Sequence, residues 1–405
     1  MPQETRTRLI HHPYRPAPGF DAPQAATHKA STVFFENTRA MRAADQRNKH
    51  VYSYGLHGTP TTFLLEERLA ALEGGHHCVL VPSGQSALTT TSLALLRQGD
   101  HVLVPDNAYG LNKSFTAAAL AGWGISHTFY DAMDPAQLAA GITDRTRLVW
   151  LEAPGSVTLE FPDLPALVQA CRAHRGAPGQ RIVTALDNTW GAGLAFQPFE
   201  LGIDISAHAL TKYPSGGGDV LMGSIVTRDA ALHARLKTLR AHLGLGVGAD
   251  DAQMLLRSLA SMELRYRAQD TAARTLARWL QARPEITAVL HPAFEGSPGH
   301  AHWRECCRSG LAAGLFSVVF DARYAPDQVD AFCDALRLFK LGYSWGGPVS
   351  LALPYDVPAM RDPQVTHWPH PGVLVRFSIG LEAADDLRGD LEQALAVLER
   401  PAEIA

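Results

Sequence analysis

The stretch RIVTALDNTWGAGLAFQPFELGIDISAHALTKYPSGGGD, residues 181–219, holds two apolar runs of strand length, 181–189 and 204–212. Each run ends around an ionisable side chain, Asp187 in the first and Lys212 in the second. Short, nearly continuous apolar runs read as strands buried on both faces. The interval from Asp187 to Lys212 is the length of one strand–connection–strand unit. Both side chains would therefore open into one pocket from neighbouring strands.

The same texture extends towards the N-terminus. TTFLLEERLAALEGG (61–75) has helical spacing and stops at Gly74-Gly75. HCVLVPSG (77–84) reads as a strand and turn, QSALTTTSLALL (85–96) as a helix and GDHVLVPD (99–106) as a strand. KSFTAAALAGWG (113–124) is helical; ISHTFYD (125–131) and TRLVWLEAP (146–154) are strand-like. Strands alternating with helices imply an α/β fold with a mostly parallel sheet and right-handed crossovers. In such sheets ligands bind outside the carboxyl ends of the strands. From about residue 258 the pattern shifts to a long Arg-rich helix (257–284), strands at 314–321 and 374–380, and a final helix at 385–400. Residues 1–60 are rich in Pro, Arg and His and read as an extended arm, with one strand-like patch at 29–38. Such an arm cannot bury itself and would lie on another subunit or on the main body. The expected division is an arm (1–60), a large domain (61–258) and a smaller C-terminal α+β domain (259–405).

Composition narrows the function. Of 405 residues, 46% are hydrophobic and 19% charged, which suits a large core and excludes disorder. A net charge of −4 without a basic stripe argues against nucleic acid. The low charged fraction reads equally as composition bias or as buried subunit interfaces. Five cysteines, an odd count with an adjacent pair and no CxxC, give neither a disulfide framework nor a zinc site, and the 18 histidines show no metal-ligand spacing. No stretch is long and apolar enough for a membrane span, and the N-terminus has no secretory apolar region. A cytoplasmic protein without a metal is the expectation.

Five features carry chemistry. Lys212 at a strand end is a nucleophile or base if desolvated. Asp187 closing an apolar strand asks for a cation. A Schiff-base lysine with an acidic partner for a pyridinium nitrogen is the constellation of pyridoxal phosphate chemistry. VPSGQSAL (81–88) places Ser83 as a helix cap and the N–H groups of Gly84, Gln85 and Ser86 where a phosphate could sit. Tyr109, at the end of another strand, can stack on a planar ring. Arg376, inside the β run VLVRFSIGLE, suits a carboxylate. Singly, each has a plainer reading: a loop lysine, a turn-capping aspartate, a structural turn, a packing tyrosine, an edge-strand arginine. GLGVG (244–248) and SGGGD (215–219) lack the context of a nucleotide loop.

In combination the chain resembles the Cys/Met-metabolism family of pyridoxal phosphate enzymes, and within it the cystathionine β-lyase branch. The resemblance rests on YGLHGTPTT (54–62), LEGG (72–75), PSG (82–84), DNAYG (106–110), WLEAPGSVTLE (150–160), DNTWGAG (187–193), LTKY (210–213), DVLMG (219–223), YSWGG (343–347) and VRFSIGLE (375–382). It implies an aspartate-aminotransferase-like fold of type I with a seven-stranded central sheet and helices on both faces. It implies pyridoxal 5'-phosphate as cofactor and a homotetramer built as a dimer of dimers. By position, Lys212 would hold the cofactor, Asp187 its ring nitrogen and Tyr109 its ring face. Gly84, Gln85, Thr211 and Ser156 would line the cofactor, and Tyr54 would reach a neighbour's phosphate. Arg376, with Tyr343, Ser344 and Trp345, would hold the carboxylate of an amino-acid thioether. Lys212, Tyr109 and Tyr54 would be catalytic. The implied reaction is β-elimination of L-cystathionine to homocysteine, pyruvate and ammonia. The alternatives are a γ-acting or cysteine-conjugate-cleaving member of the family, or a non-catalytic regulator that kept the cofactor. PGS (154–156), YSWGG and Ala209 resemble the β-lyase branch. One departure is Leu56, followed by His57, where the family usually has a phosphate-binding arginine. Another is YDAMDPAQL (130–138), where β-lyases usually read Asp-Pro-Leu-Ile-Gly.

Overall fold

The computed structural model describes residues 4–14, 18–19, 22–44, 51–174, 181–307 and 309–398. Two sheets organise them. The larger contains β1 (His77–Val81), β2 (His101–Pro105), β3 (Ser126–Tyr130), β4 (Thr146–Glu152), β5 (Val183–Asp187), β6 (Ile205–Ala209) and β7 (Gly223–Thr227), in the order β1-β7-β6-β5-β4-β2-β3. From β3 across to β6 the neighbours run parallel, and β7 is antiparallel to both β6 and β1. The smaller sheet contains β8 (Ile286–Leu290), β9 (Leu315–Phe320), β10 (Leu351–Tyr355) and β11 (Leu374–Ser378), all antiparallel, in the order β10-β11-β9-β8.

The large sheet is covered on both faces, as its near-continuous apolar strands require. Alternate residues divide between two clusters, following the two-residue period of a strand. Leu80, Leu103, Val149, Leu151 and Leu186 join one cluster with Leu65, Leu69 and Leu72 of the helix Pro60–Glu73. Val81, Val102, Leu148, Trp150 and Ala207 join the other with Ala87, Leu88 and Leu95 of the helix Gly84–Leu95. The small sheet packs Phe316, Val318, Phe320 and Phe377 against helices Met262–Gln281, Pro326–Ala335 and Ala384–Leu395.

Local chemistry fixes where these elements begin and end. The helix Pro60–Glu73 starts with a reciprocal cap: Thr59 Oγ1 accepts from the Thr62 N–H, and Thr62 Oγ1 accepts from the Thr59 N–H. It stops at Gly74, whose φ of 74° is left-handed and suits glycine. Such a cap contributes about 1 kcal/mol.

Three expectations are corrected. The long Arg-rich helix is two helices, Ala249–Leu259 and Met262–Gln281. Serine hydroxyls and an arginine take over backbone carbonyls at the break: Ser261 Oγ donates to the Ser258 carbonyl, and so does Arg265 Nη2. The arm is not uniformly extended, because Thr5–Ile10 and Thr38–Ala43 are helical, each too short to show a period. The apolar patch at 29–38 makes one isolated bridge, Thr32 to Tyr54, and leaves Phe34 92% exposed. Parts of the arm (1–3, 15–17, 20–21 and 45–50) and the end of the expected last helix (399–400) lie outside the described residues.

Candidate active site

Carboxyl ends of the large sheet's parallel strands converge with one loop and one strand of the smaller sheet. Asp187 ends β5, in register with Glu152 at the end of β4. Lys212 lies just beyond β6, and the chain next to it is held by the Lys212 N–H donating to the Ala209 carbonyl.

Lys212 Nζ donates to Ser344 Oγ at 2.7 Å and lies 5.5 Å from the Trp345 ring centre. Burial, with the nearby Arg376 cation, pushes its pKa down to about 8, against the pull of Asp187. Arg376 sits inside β11, 8% exposed, and its Nη2 donates to the carbonyl of Ser344 at 3.2 Å. Its guanidinium lies 5.3 Å from the Tyr355 ring centre, and its Nε is buried without a hydrogen-bond partner. Ser344 thus carries Lys212 on its hydroxyl and Arg376 on its carbonyl. Its φ of 126° is a region a non-glycine residue adopts only when neighbours hold it there, at a cost of about 1–3 kcal/mol.

Asp187 Oδ1 accepts from the Thr189 N–H (3.0 Å) and from Thr189 Oγ1 (2.5 Å). Thr189 Oγ1 in turn accepts from the Ala209 N–H at 3.0 Å, which ties the two strand ends together. Burial pushes Asp187 up, while Thr189, His208 and Lys212 oppose that shift. Glu152 is pushed well above the usual carboxylate range by burial and then by Asp187. Glu152 Oε2 accepts from the Tyr109 N–H at 2.8 Å. Burial, followed by Asp187 and Glu152, raises the Tyr109 hydroxyl, which stays protonated.

The start of the helix Gly84–Leu95 abuts β6. A Cβ on Gly84 would stand 2.4 Å from Ala209 Cβ, so only glycine allows this approach. Ser83 Oγ accepts from the Ser86 N–H, which leaves the Gly84 and Gln85 N–H groups at the helix end. Gln85 Nε2 donates to the Leu111 carbonyl, while its Oε1 is buried without a partner. The Thr211 hydroxyl donates to the Met222 carbonyl at 3.3 Å. Ser156 lines a cavity of about 410 Å³ with Asp106, Lys113, Met360 and Arg361.

Lys212, Asp187, Tyr109, Arg376, Ser344 and Trp345 are therefore drawn together, with Gly84 and Gln85 beside them. Tyr343 is 87% exposed at the rim. Tyr54 is not in this group: it stays with the arm, bridged to Thr32 and edge-on to His57. Leu56 beside it accepts from Arg240 Nη1 through its carbonyl (2.8 Å). Burial, with Lys237 and Arg240, pushes the His57 imidazole down. Glu152, Thr189 and Tyr355 were not singled out from the sequence. Glu152 had a signal, since it closes an apolar strand as Asp187 does.

The family model for Cys/Met metabolism PLP-dependent enzymes matches residues 6–396. The chain belongs to that family. It is 40% identical over 370 residues to a putative cystathionine beta-lyase of Rhizobium johnstonii, covering 91% of this chain and 89% of that protein. It is 38% identical over 387 residues to a cystathionine beta-lyase of Bordetella avium, covering 95% and 94%. A crystal structure of metB from Corynebacterium glutamicum superposes with a TM-score of 0.86 at 29% identity, covering 98% of each chain. The architecture is thus that of the PLP-dependent Cys/Met family: a large, mostly parallel sheet with helices, and a smaller sheet. The residues present fit the family's cofactor. The helix end at Gly84 and Gln85 suits a phosphate. The Gln85 Oε1 and Arg376 Nε atoms are polar, buried and unpartnered. Asp187, pushed upward by burial, suits an N–H cation.

Proposed function

We propose that the protein is a carbon–sulfur lyase that cleaves L-cystathionine by β-elimination. With one water, cystathionine gives homocysteine, pyruvate and ammonia. The observation that carries this reading is Ser344, which holds Lys212 Nζ on its hydroxyl and Arg376 on its carbonyl. A proton acceptor and a carboxylate clamp meet there, as an α-amino acid requires. The identity to proteins named cystathionine beta-lyase supports the choice of substrate.

Lys212 would hold the cofactor, Asp187 its ring nitrogen, Tyr109 its ring face, and the N–H groups of Gly84 and Gln85, with Thr211, its phosphate. Ser156 lies beside them. When bound, the cofactor ring supplies a sink for the electrons of the breaking Cα–H bond. Arg376 binds the substrate carboxylate in a planar fork, with Trp345 and Tyr343 towards the rim. Lys212 Nζ takes the proton from Cα, since its depressed pKa keeps much of it neutral near pH 8. The same Nζ, now protonated, can return that proton to the departing thiolate. Ser344 Oγ keeps Nζ aimed throughout.

We further infer a division into an arm (1–60), a cofactor domain (61–258) and a substrate-carboxylate domain (259–405), and a homotetramer working in the cytoplasm. Tyr54 would complete a neighbour's site, a reading supported by its exposure in the arm, away from the Lys212 cluster of its own chain. No described helix is long and apolar enough to cross a membrane. The test is the keto acid formed from cystathionine. Pyruvate supports the reading; 2-oxobutyrate would assign γ-elimination, and no turnover on any thioether amino acid would favour a regulator.

A further inference from the structure

The helix Met262–Gln281 grips the site at two places. Arg265, in its first turn, reaches the chain that follows Lys212. Arg265 Nη1 donates to the Tyr213 carbonyl at 2.9 Å, and its Nη2 donates to Ser258 Oγ at 2.7 Å. Ser258, near the end of the helix Ala249–Leu259, passes the grip on: its Oγ donates to the Ser215 carbonyl at 2.6 Å. The Gly216 N–H closes the turn on the Lys212 carbonyl at 3.0 Å. A Cβ on Gly216, whose φ is 64°, would stand 1.9 Å from Arg265 Nη1, so glycine is what lets the guanidinium come this close.

Gln269, one turn further along the same helix, reaches the other half of the site. It is 1% exposed, and its Nε2 donates at 2.8 Å to the carbonyl of Gly347, in the loop that carries Ser344. Its Oε1 is buried without a hydrogen-bond partner. A half-satisfied buried amide is costlier than an apolar side chain of the same shape, so packing alone does not account for a glutamine here. Capping of the helix Ala249–Leu259 accounts for Arg265 Nη2 on the Ser258 carbonyl (3.1 Å), but not for Nη1 on Tyr213. Residues four apart lie on one face of a helix, and a rise of about 1.5 Å per residue sets these two about 6 Å apart along its axis. Between them Tyr266 rests on Tyr213 (ring centres 4.6 Å apart), and Tyr213 on Trp345 (5.5 Å). The two gripped segments carry the donor and the acceptor of the Lys212 Nζ–Ser344 Oγ hydrogen bond.

We propose that Arg265 and Gln269 are positioning residues that use one helix to set the reach between Lys212 Nζ and Ser344 Oγ, Arg265 from the lysine side and Gln269 from the serine side. The proposal rests on the reading of Lys212 as the group that takes the Cα proton. Each residue acts through a backbone carbonyl: Arg265 through Tyr213, next to Lys212, and Gln269 through Gly347. A misplacement of about 1 Å costs about 100-fold in rate, so loss of one grip, with the remaining contacts in place, costs less. The two losses differ in kind. Freeing the lysine side disturbs proton transfer alone. Freeing the serine side disturbs the carboxylate clamp as well, because Arg376 donates to the Ser344 carbonyl.

The test uses the holoenzyme and the variants Arg265→Met, Gln269→Met and their double, with Ser258→Ala as the mildest change. The readouts are kcat and KM for pyruvate release from L-cystathionine, the rate at which cofactor-free protein captures pyridoxal 5'-phosphate, and the thermal midpoint. Arg265→Met lowers kcat about tenfold, slows capture about as much and leaves KM within about twofold. Gln269→Met lowers kcat and raises KM, each about fivefold or more. The double variant lowers kcat little beyond the larger single, the non-additivity expected of residues that hold one distance. Variants that lower the thermal midpoint but leave kcat, KM and capture within about twofold would reduce both residues to packing and overturn the proposal. Losses in kcat that multiply in the double would overturn the shared distance. Should either large variant fail to fold, Ser258→Ala carries the test: a fall in kcat and capture at constant KM supports the proposal, and unchanged kcat and capture overturn it. Lys212→Ala separates the two levels. If it releases pyruvate as the wild type does, the reading of Lys212 fails; if it is inactive while the other variants match the wild type, only the positioning role fails.

Discussion

Replacing Arg376 tests the electrostatic design of the site through a group it does not bond. The Lys212 ammonium falls from its ordinary 10.5 to about 8, by burial first and by Arg376 second. At pH 7.5 an amine of pKa about 8 is roughly one-quarter neutral, whereas one of 10.5 is neutral in about one molecule per thousand. The site therefore presents about 200 times more free amine at Lys212 than an exposed lysine would. The whole depression corresponds to about 3 kcal/mol against the ammonium. Burial takes the larger share, so Arg376→Leu raises the Lys212 pKa by about one unit or less, which lowers the neutral fraction at pH 7.5 by up to about tenfold. Arg376→Lys keeps a positive charge and leaves the midpoint near 8, although its single ammonium replaces the planar fork. The assay is the rate at which cofactor-free protein captures pyridoxal 5'-phosphate, followed by visible absorbance against pH, since only the neutral amine is nucleophilic. No substrate is present, so loss of the carboxylate clamp does not enter. A wild-type midpoint at or above 10 would refute the argument, as would an Arg376→Leu midpoint equal to the wild type's.

Three further outcomes follow from the geometry. Gly84→Ala puts a methyl 2.4 Å from Ala209 Cβ and 3.0 Å from its Cα; overpacking of this kind costs about 1–3 kcal/mol, to be read by urea unfolding, together with weaker cofactor binding. Glu152→Gln replaces, at nearly the same shape, an acid that burial beside Asp187 pushes well above the usual carboxylate range, so turnover stays within a few-fold, whereas Asp187→Asn loses most turnover. Leu56→Arg adds a cation where the family usually has one, and a charge-assisted hydrogen bond of about 1.5–3 kcal/mol would tighten cofactor binding roughly 10- to 100-fold; an unchanged Kd would mean that Arg240, already donating to the Leu56 carbonyl, makes up the charge.

Much of the cofactor-facing half was legible in the sequence because its signals are local. Asp187 and Lys212 follow apolar runs directly, and the Ser83-Gly84 turn precedes a helix whose cap it forms. The parallel sheet followed from strands alternating with helices. What escaped was set by contacts between distant residues. β7 and β10 are five residues each, with Gly, Ser or Pro inside, and no period marks them. Arg376 was visible as a cation in a β run, but its meeting with Ser344, 32 residues away in the chain, depends on how the smaller sheet lies. Gln269 looked like any polar residue of the Arg-rich helix, and only its hydrogen bond to the Gly347 carbonyl, 78 residues away in the chain, sets it apart. The helix break at Ala260–Ser261 was hidden because the Arg-rich sequence keeps good helix formers on both sides, while the serines that end one helix and begin the next act through side-chain hydrogen bonds.

The most direct test of the central claim follows the proton that Lys212 is said to move. L-Cystathionine carrying deuterium at Cα is given to the wild type and to Lys212→Ala, with pyruvate release and loss of the label to water recorded together. The wild type releases pyruvate and loses the Cα label, while Lys212→Ala does neither above background. Pyruvate from Lys212→Ala at the wild-type rate, or wild-type turnover that yields no pyruvate, would contradict the account.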